Sequence, residues 1–289
     1  MARREVVSLP SASTLALIRH ETAGRKLAPK RVAVIGDPVY DSQDARLGKY
    51  SSAIGRRSGD KVEEKSEGVT YAKTAFFQSE AFSDDSNEIG SSGGNLRFPR
   101  LSFTRQEAAD IASLADSKDV MLAMDFRANR ETAMGAQMAQ YQIVHLAAHG
   151  LLETQFPDRS AVVLSLVDEE GRPRNGFLRL QDIYDLNLPA ELVVLSACET
   201  ALGKTHQRRR SGGLTRGFMY AGSKRVMASL WKVADQATAE LMKVFYKAIL
   251  EKGQSATEAL RTAQMALRNS PKWRAPFFWA PFILQGEYN

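Results

Sequence analysis

Ile143-Val144-His145-Leu146-Ala147-Ala148 runs into His149-Gly150, and Leu192-Val193-Val194-Leu195-Ser196-Ala197 runs into Cys198. Continuous aliphatic runs of this length, closed by glycine or polar residues, have the pattern of strands buried on both faces of a parallel sheet. Open parallel sheets bind ligands at the carboxyl ends of their strands. A histidine and the sole cysteine of the chain therefore fall where such a sheet carries a site. Cysteine is nucleophilic as thiolate, and an unperturbed pKa of ~8.5 leaves only a few per cent ionised at neutral pH, which a neighbouring imidazole corrects.

His149, at a strand end beside Gly150, is the better base. His145 lies inside the apolar run and reads as a core histidine, and His206, in the loop after the cysteine, is a further candidate. The N–H groups of Gly150 and Cys198 are placed to stabilise an oxyanion. Two other readings exist. A lone cysteine at a strand end is commonly a small core residue. His145 and His149, four apart on one strand, share a face and with Cys198 suggest zinc ligands. The expectation is a thiol–imidazole pair with neither metal nor cofactor.

Composition narrows the function. The chain has 289 residues, 44% of them hydrophobic, enough for a sizeable core. No stretch approaches the ~20 apolar residues that span a bilayer, and Ser8, Pro10, Ser11, Ser13 and Thr14 interrupt the one signal-like start. With one cysteine there is no internal disulfide, so a cytoplasmic location is expected and no membrane partner. The net charge of +6 raises nucleic acid as a partner. The basic residues are scattered, however, with no stripe interleaved with aromatics, which argues against it.

Working outward, Ser11 to His20 reads as a helix capped by Ser11 or Ser13, and Arg31 to Pro38 as the first strand, closed by Gly36 and Pro38. Residues 1–30 form an extension, and residues 31–289 one domain with a long polar insertion at about 39–100, which reads as a flap, a docking segment or simply a tolerated insertion. Thr104 as N-cap with Glu107 in the capping-box position predicts a helix, and Val120 to Phe126 a strand. Asn129 to Gln140 reads as a helix, and Tyr141 to His149 as the strand that delivers the histidine. Ala161 to Val167 is another strand. Phe177 to Leu186 feeds a helix, and Glu191 to Cys198 is the second central strand. Beyond the cysteine come a loop, a helix from Gly212-Gly213, a strand at Arg225 to Trp231, helices at 235–252 and 255–269, and a strand from Phe277 to Leu284. Alternating strands and helices define an α/β layered fold.

Five segments then resemble one family. His-Leu-Ala-Ala-His-Gly (145–150), Gly-Phe-Leu-Arg-Leu-Gln-Asp-Ile-Tyr (176–184), Val-Val-Leu-Ser-Ala-Cys-Glu-Thr (193–200), Gly-Gly-Leu-Thr-Arg-Gly-Phe-Met-Tyr-Ala-Gly (212–222) and Ala-Ser-Leu-Trp-Lys-Val-Ala-Asp (228–235) look like the CHAT domain, of the caspase and separase group of cysteine peptidases. The resemblance implies a caspase-like three-layer α/β/α sandwich with a mostly parallel central sheet. It implies a His149/Cys198 dyad in a bacterial-type endopeptidase that cleaves a protein substrate through an acyl-enzyme. A catalytically silent scaffold for protein–protein contact is the alternative. The Ser196-Ala197-Cys198-Glu199-Thr200 context departs from the Gln-Ala-Cys of caspases, so aspartate specificity is not carried over. Separase-like relatives prefer a basic residue before the cut, which needs an acidic pocket. Asp182 and Asp235, within matched motifs, are the acids to supply it, with Ser196 beside the cysteine, although either acid also suits a helix cap. Family members usually carry tetratricopeptide (TPR) or similar repeats that sense a partner. None is visible here, so a regulatory protein or TPR-type sensor is expected from a longer chain or a partner. The loop after the cysteine holds Arg208-Arg209-Arg210, where an enzyme with basic specificity would process itself.

Overall fold

The computed structural model describes residues 11–48, 98–151, 160–196 and 213–287. Helix α1 (Ala12–Thr22) starts at Ser11, whose Oγ accepts the Thr14 N–H at 3.0 Å. Strand β1 (Lys30–Pro38) and helix α2 (Thr104–Ala112) precede β2 (Val120–Asp125) and α3 (Arg130–Met134). Next come β3 (Tyr141–Ala147), β4 (His149–Leu151), β5 (Ala161–Val163), β6 (Phe177–Arg179), α4 (Leu180–Tyr184) and β7 (Leu192–Leu195). The chain closes with α5 (Gly213–Tyr220), β8 (Arg225–Ser229), α6 (Asp235–Leu250), α7 (Ala256–Asn269), α8 (Pro276–Trp279) and β9 (Phe282–Gly286).

The central sheet has the order β2-β1-β3-β7-β8-β9, parallel throughout except for the antiparallel edge strand β9. Alternate residues of each strand point to opposite faces, and helices cover both. Val32, Val34, Ile143 and Val194 pack under α2, α6 and α7, whereas Ala33, Ile35, Val144 and Val193 pack with residues of α1, α3, α4 and α5. Burial on both faces explains why these strands are apolar without alternation. The result is a three-layer α/β/α sandwich.

Several boundaries differ from the sequence reading, each for a local reason. Gly135, with ψ of 139°, ends α3 early, and residues 136–140 continue as a 3-10 turn. Strand β3 stops at Ala147. His149 instead opens β4, in a separate antiparallel sheet β4-β5-β6. Pro276 sits at the start of α8, where its missing N–H costs nothing, so the last strand begins only at Phe282. Helix α7 carries the capping box read at Ser255 and Glu258. Among the described residues no helix is long and apolar enough to cross a membrane.

The motif that begins at Gly176 shows why glycine stands there. Leu164 N–H donates to the Gly176 carbonyl at 2.8 Å, and the strands cross so closely that a Cβ on Gly176 would meet the Ser165 carbonyl oxygen and lie 2.6 Å from that of Leu164. Backbone cannot yield as a side-chain tip can. Gly176→Ala is therefore expected to cost about 1–3 kcal/mol, the usual range for overpacking, read as a lower urea midpoint at unchanged m-value.

Candidate active site

The chain re-enters the described structure at Phe98 and runs as a strap, residues 98–103, into α2. One buried carboxylate anchors it. Asp37, at the carboxyl end of β1 with a left-handed φ of 47°, accepts Arg100 Nε at 2.8 Å and Nη2 at 2.7 Å, and Arg105 Nε at 2.8 Å. Paired charge-assisted bonds of this kind are strong and fix geometry. Arg46 Nη1 lies 3.1 Å from the Asp37 carboxylate and also donates to the Asp37 carbonyl at 2.7 Å and to Asp125 Oδ1 at 2.8 Å. Asp125, itself at φ of 55°, is bound by Arg105 as well. Burial alone would raise the Asp125 carboxyl; Arg105 and Arg46 hold it below its ordinary value.

The strap positions His149. The Pro99 carbonyl lies 2.7 Å from His149 Nε2. A carbonyl can only accept, so Nε2 carries the hydrogen and Nδ1 is the basic nitrogen of the neutral ring. The rings of Tyr40 and Phe98 flank the imidazole at centroid distances of 5.2 and 5.7 Å, and the His149 backbone N–H donates to Tyr40 Oη at 3.3 Å. His149 is buried. Burial pushes its pKa below the ordinary value; the Pro99 bond works against this, and the Lys232 ammonium adds to the lowering. Burial thus favours the neutral form of the ring.

Strand β7 leads toward the same edge. Ser196, just past its end, donates its N–H to the Leu146 carbonyl at 3.2 Å. Cys198, His206 and Arg208-Arg209-Arg210 lie outside the described residues. Gly150 sits in β4 opposite Val162.

Beside Ser196 lies a cleft of about 140 Å³, bounded by Leu101 of the strap, Thr104 and Glu107 of α2, and Asp235 and Thr238 of α6. Asp235 opens α6 but does not cap it. Its Oδ2 accepts the Phe103 N–H at 2.7 Å, tying strap to helix. Burial raises the Asp235 carboxyl to about 6; the Phe103 bond opposes this, and the carboxylates of Glu107 and Asp37 reinforce it.

Asp182 is placed elsewhere, in the helical layer on the other side of the sheet. It accepts Arg130 Nη2 at 2.6 Å and the Arg179 N–H at 2.8 Å, closing a capping box at the start of α4. His145 and His149 do not face one another as the metal reading required. His145 is fully buried, its Nδ1 2.9 Å from Tyr246 Oη and its Nε2 2.7 Å from Glu107 Oε1. Both nitrogens thus face protein groups, and His149 has left the strand on which the two would share a face.

Glu107 also departs from its sequence reading. Thr104 is not the N-cap; Phe103 holds that position without a side-chain bond, and Glu107 turns inward to 1% exposure. The spacing held a signal, since Glu107 shares a helix face with Ala108 and Ile111, both buried. Asp37, Pro99, Arg100 and Leu101 carried none, because Pro99 reaches His149, and Arg100 reaches Asp37, only through the return of a long insertion.

The fold and site edge define a cysteine-peptidase-related α/β sandwich of caspase-like type. The sequence matches the CHAT domain over residues 1–287, and the chain belongs to that family. Over 112 residues it is 35% identical to Tetratricopeptide repeat protein 28 of Homo sapiens, covering 38% of this chain and 4% of that protein. The Mus musculus protein of that name is 34% identical over 114 residues, covering 39% of this chain and 5% of its own length. The chain thus spans about one twentieth of the curated relatives it matches. Its fold is similar to a chain in the crystal structure of the Saccharomyces cerevisiae separase-securin complex, with a TM-score of 0.52 and 12% identity over 99% of this chain and 14% of the other.

If Asp37 anchors the strap, Asp37→Asn should destabilise the protein. Removing one partner of a buried pair typically costs 3–5 kcal/mol; the loss here should sit near the lower figure, about 3 kcal/mol, because Arg100 and Arg105 are 41% and 45% exposed and regain water. Chemical denaturation measures it, and a loss under about 0.5 kcal/mol contradicts the anchoring role.

Proposed function

We propose that this chain is a cysteine endopeptidase with His149 and Cys198 as its dyad. The observation that supports this most is the His149 tautomer: a strap carbonyl takes the Nε2 hydrogen and leaves Nδ1 basic, at the sheet edge to which β7 delivers the sequence leading to Cys198. In this reading His149 takes the Cys198 thiol proton and the sulfur adds to the substrate carbonyl carbon, with the N–H groups of Gly150 and Cys198 holding the oxyanion. Collapse breaks the C–N bond as imidazolium protonates the leaving amine. Water, deprotonated by His149, then releases the acyl group as acid and restores the thiol.

The cleft beside Ser196 takes the side chain before the cut, and Asp235 gives it a preference for a basic one. Regulation comes from a partner or from TPR repeats, in keeping with the name of the curated relatives and with the small share of them this chain spans. Cleavage at Arg208-Arg209-Arg210 is the proposed route of loop processing, and Cys198→Ala should abolish it along with all peptide cleavage, as read by mass spectrometry. Processing that persists in that variant points to another protease.

The pH profile provides a second test. Asp235 is charged above about 6 and neutral below it, so its hold on a cation is present above that value and lost as pH falls through it. His149, held below its ordinary pKa, takes up its proton at a lower pH than a free imidazole, so the Asp235→Asn comparison separates the two groups. The acid limb of kcat/KM for substrates with a basic residue before the cut should thus have its midpoint near 6, and Asp235→Asn should move that limb lower. The same substitution should lower kcat/KM by about 10²-fold, the cost of stripping a buried charge of its partner. An unchanged limb removes Asp235 from the pocket.

A further inference from the structure

We infer that Glu107 is a second acid of the cleft and a specificity-determining residue, which selects a guanidinium over an ammonium side chain. The inference rests on the peptidase reading and deepens its proposed specificity.

Glu107 is buried to 1% exposure at the wall of the cleft. Its Oε1 lies against His145 Nε2, and behind that imidazole stands Tyr246, itself fully buried. Oε1 faces that ring at 2.7 Å without the alignment of a hydrogen bond. Oε2 has no hydrogen-bond partner among the described residues, and neither does the buried Oγ of Ser196 in the same cleft. Orphaned buried acceptors are rare and costly, which calls for a donor that the free protein lacks. Helix α2 could have avoided the cost with an apolar residue at this position, as it does at Ala108 and Ile111.

The chemistry of that donor follows from number and shape. Asp235, Glu107 and Ser196 offer acceptors on different walls of one space. At about 140 Å³ it is close to the ~150 Å³ cavity that admits benzene, so it has room for one planar group. A guanidinium presents five N–H donors in a rigid planar fork, whereas an ammonium presents three from a single point. The fork spreads its donors over a wider span than a single ammonium point and so suits acceptors on separate walls better. Both Glu107 oxygens are covered in the free cleft, so this contact forms as the side chain enters. Lys232, exposed on the cleft's edge, repels both cations alike and does not discriminate between them.

The test uses two peptides that differ only in arginine or lysine before the cut. Glu107→Gln should reduce the arginine-to-lysine ratio of kcat/KM at least tenfold, mainly through KM, whereas Asp235→Asn should lower both values together. Equal losses for both peptides, or an unchanged ratio, overturn the inference. If Glu107→Gln fails to fold, Glu107→Asp keeps a carboxylate near His145 while withdrawing it from the cleft, and the same fall in ratio is expected. Binding of agmatine and cadaverine to Cys198→Ala protein, measured by calorimetry, separates this inference from the peptidase reading. Agmatine should bind at least tenfold more tightly, a preference lost with Glu107→Gln. That preference without cleavage by the wild type leaves the role of Glu107 standing and defeats the peptidase reading. Cleavage without that preference does the reverse, and the absence of both defeats both.

Discussion

The site depends on a single buried carboxylate. Asp37 ends the first strand in a backbone conformation that non-glycine residues seldom adopt, and three arginines from two other segments converge on it. Leaving that carboxylate unpaired in the interior would be costly, so the arginines cannot be placed freely. Arg100 and Arg105 bracket the strap and the start of α2. Fixing them fixes Pro99, which orients His149, and Phe103, which binds Asp235. The tautomer of the histidine and the wall of the acidic cleft are thus set by the same ionic cluster.

The electrostatics of His149 and Asp235 diverge. Burial drives both toward their neutral forms, which lowers the imidazole and raises the carboxyl. Their neighbours sharpen the contrast: Lys232 acts on His149, and the carboxylates of Glu107 and Asp37 act on Asp235. Shifts of opposite sign on neighbouring groups at the carboxyl end of a sheet, a lowered imidazole and a raised carboxyl, are a pattern of functional sites.

Much of this was legible in the residues. The apolar runs at 32–35, 143–148 (with His145 inside it) and 192–195 marked strands covered on both faces, and the sheet places all three side by side. Ser255 with Glu258 marked a real helix start, and of the two serines offered for the first helix the structure uses Ser11. The pattern failed where long-range partners override local chemistry. Thr104 with Glu107 has the form of a capping box, yet a buried histidine recruits the glutamate. Tyr141 to His149 has the form of one strand, yet the chain turns at Ala148 into a second sheet. Asp182 and Asp235 look equivalent as acids in matched motifs, and only the layers of the sandwich assign one to a helix start and the other to a cleft. The strap was invisible because its meaning lies in contacts made across the insertion.

The account turns on the claim that Pro99 fixes the ring state of His149. Nitrogen NMR of the protein labelled with ¹⁵N-histidine, at a pH where the ring is neutral, measures this directly. A protonated Nε2 with a pyridine-like Nδ1 is the predicted result, giving way to a mixture of tautomers in Arg100→Ala. A protonated Nδ1 in the wild-type protein would contradict the account.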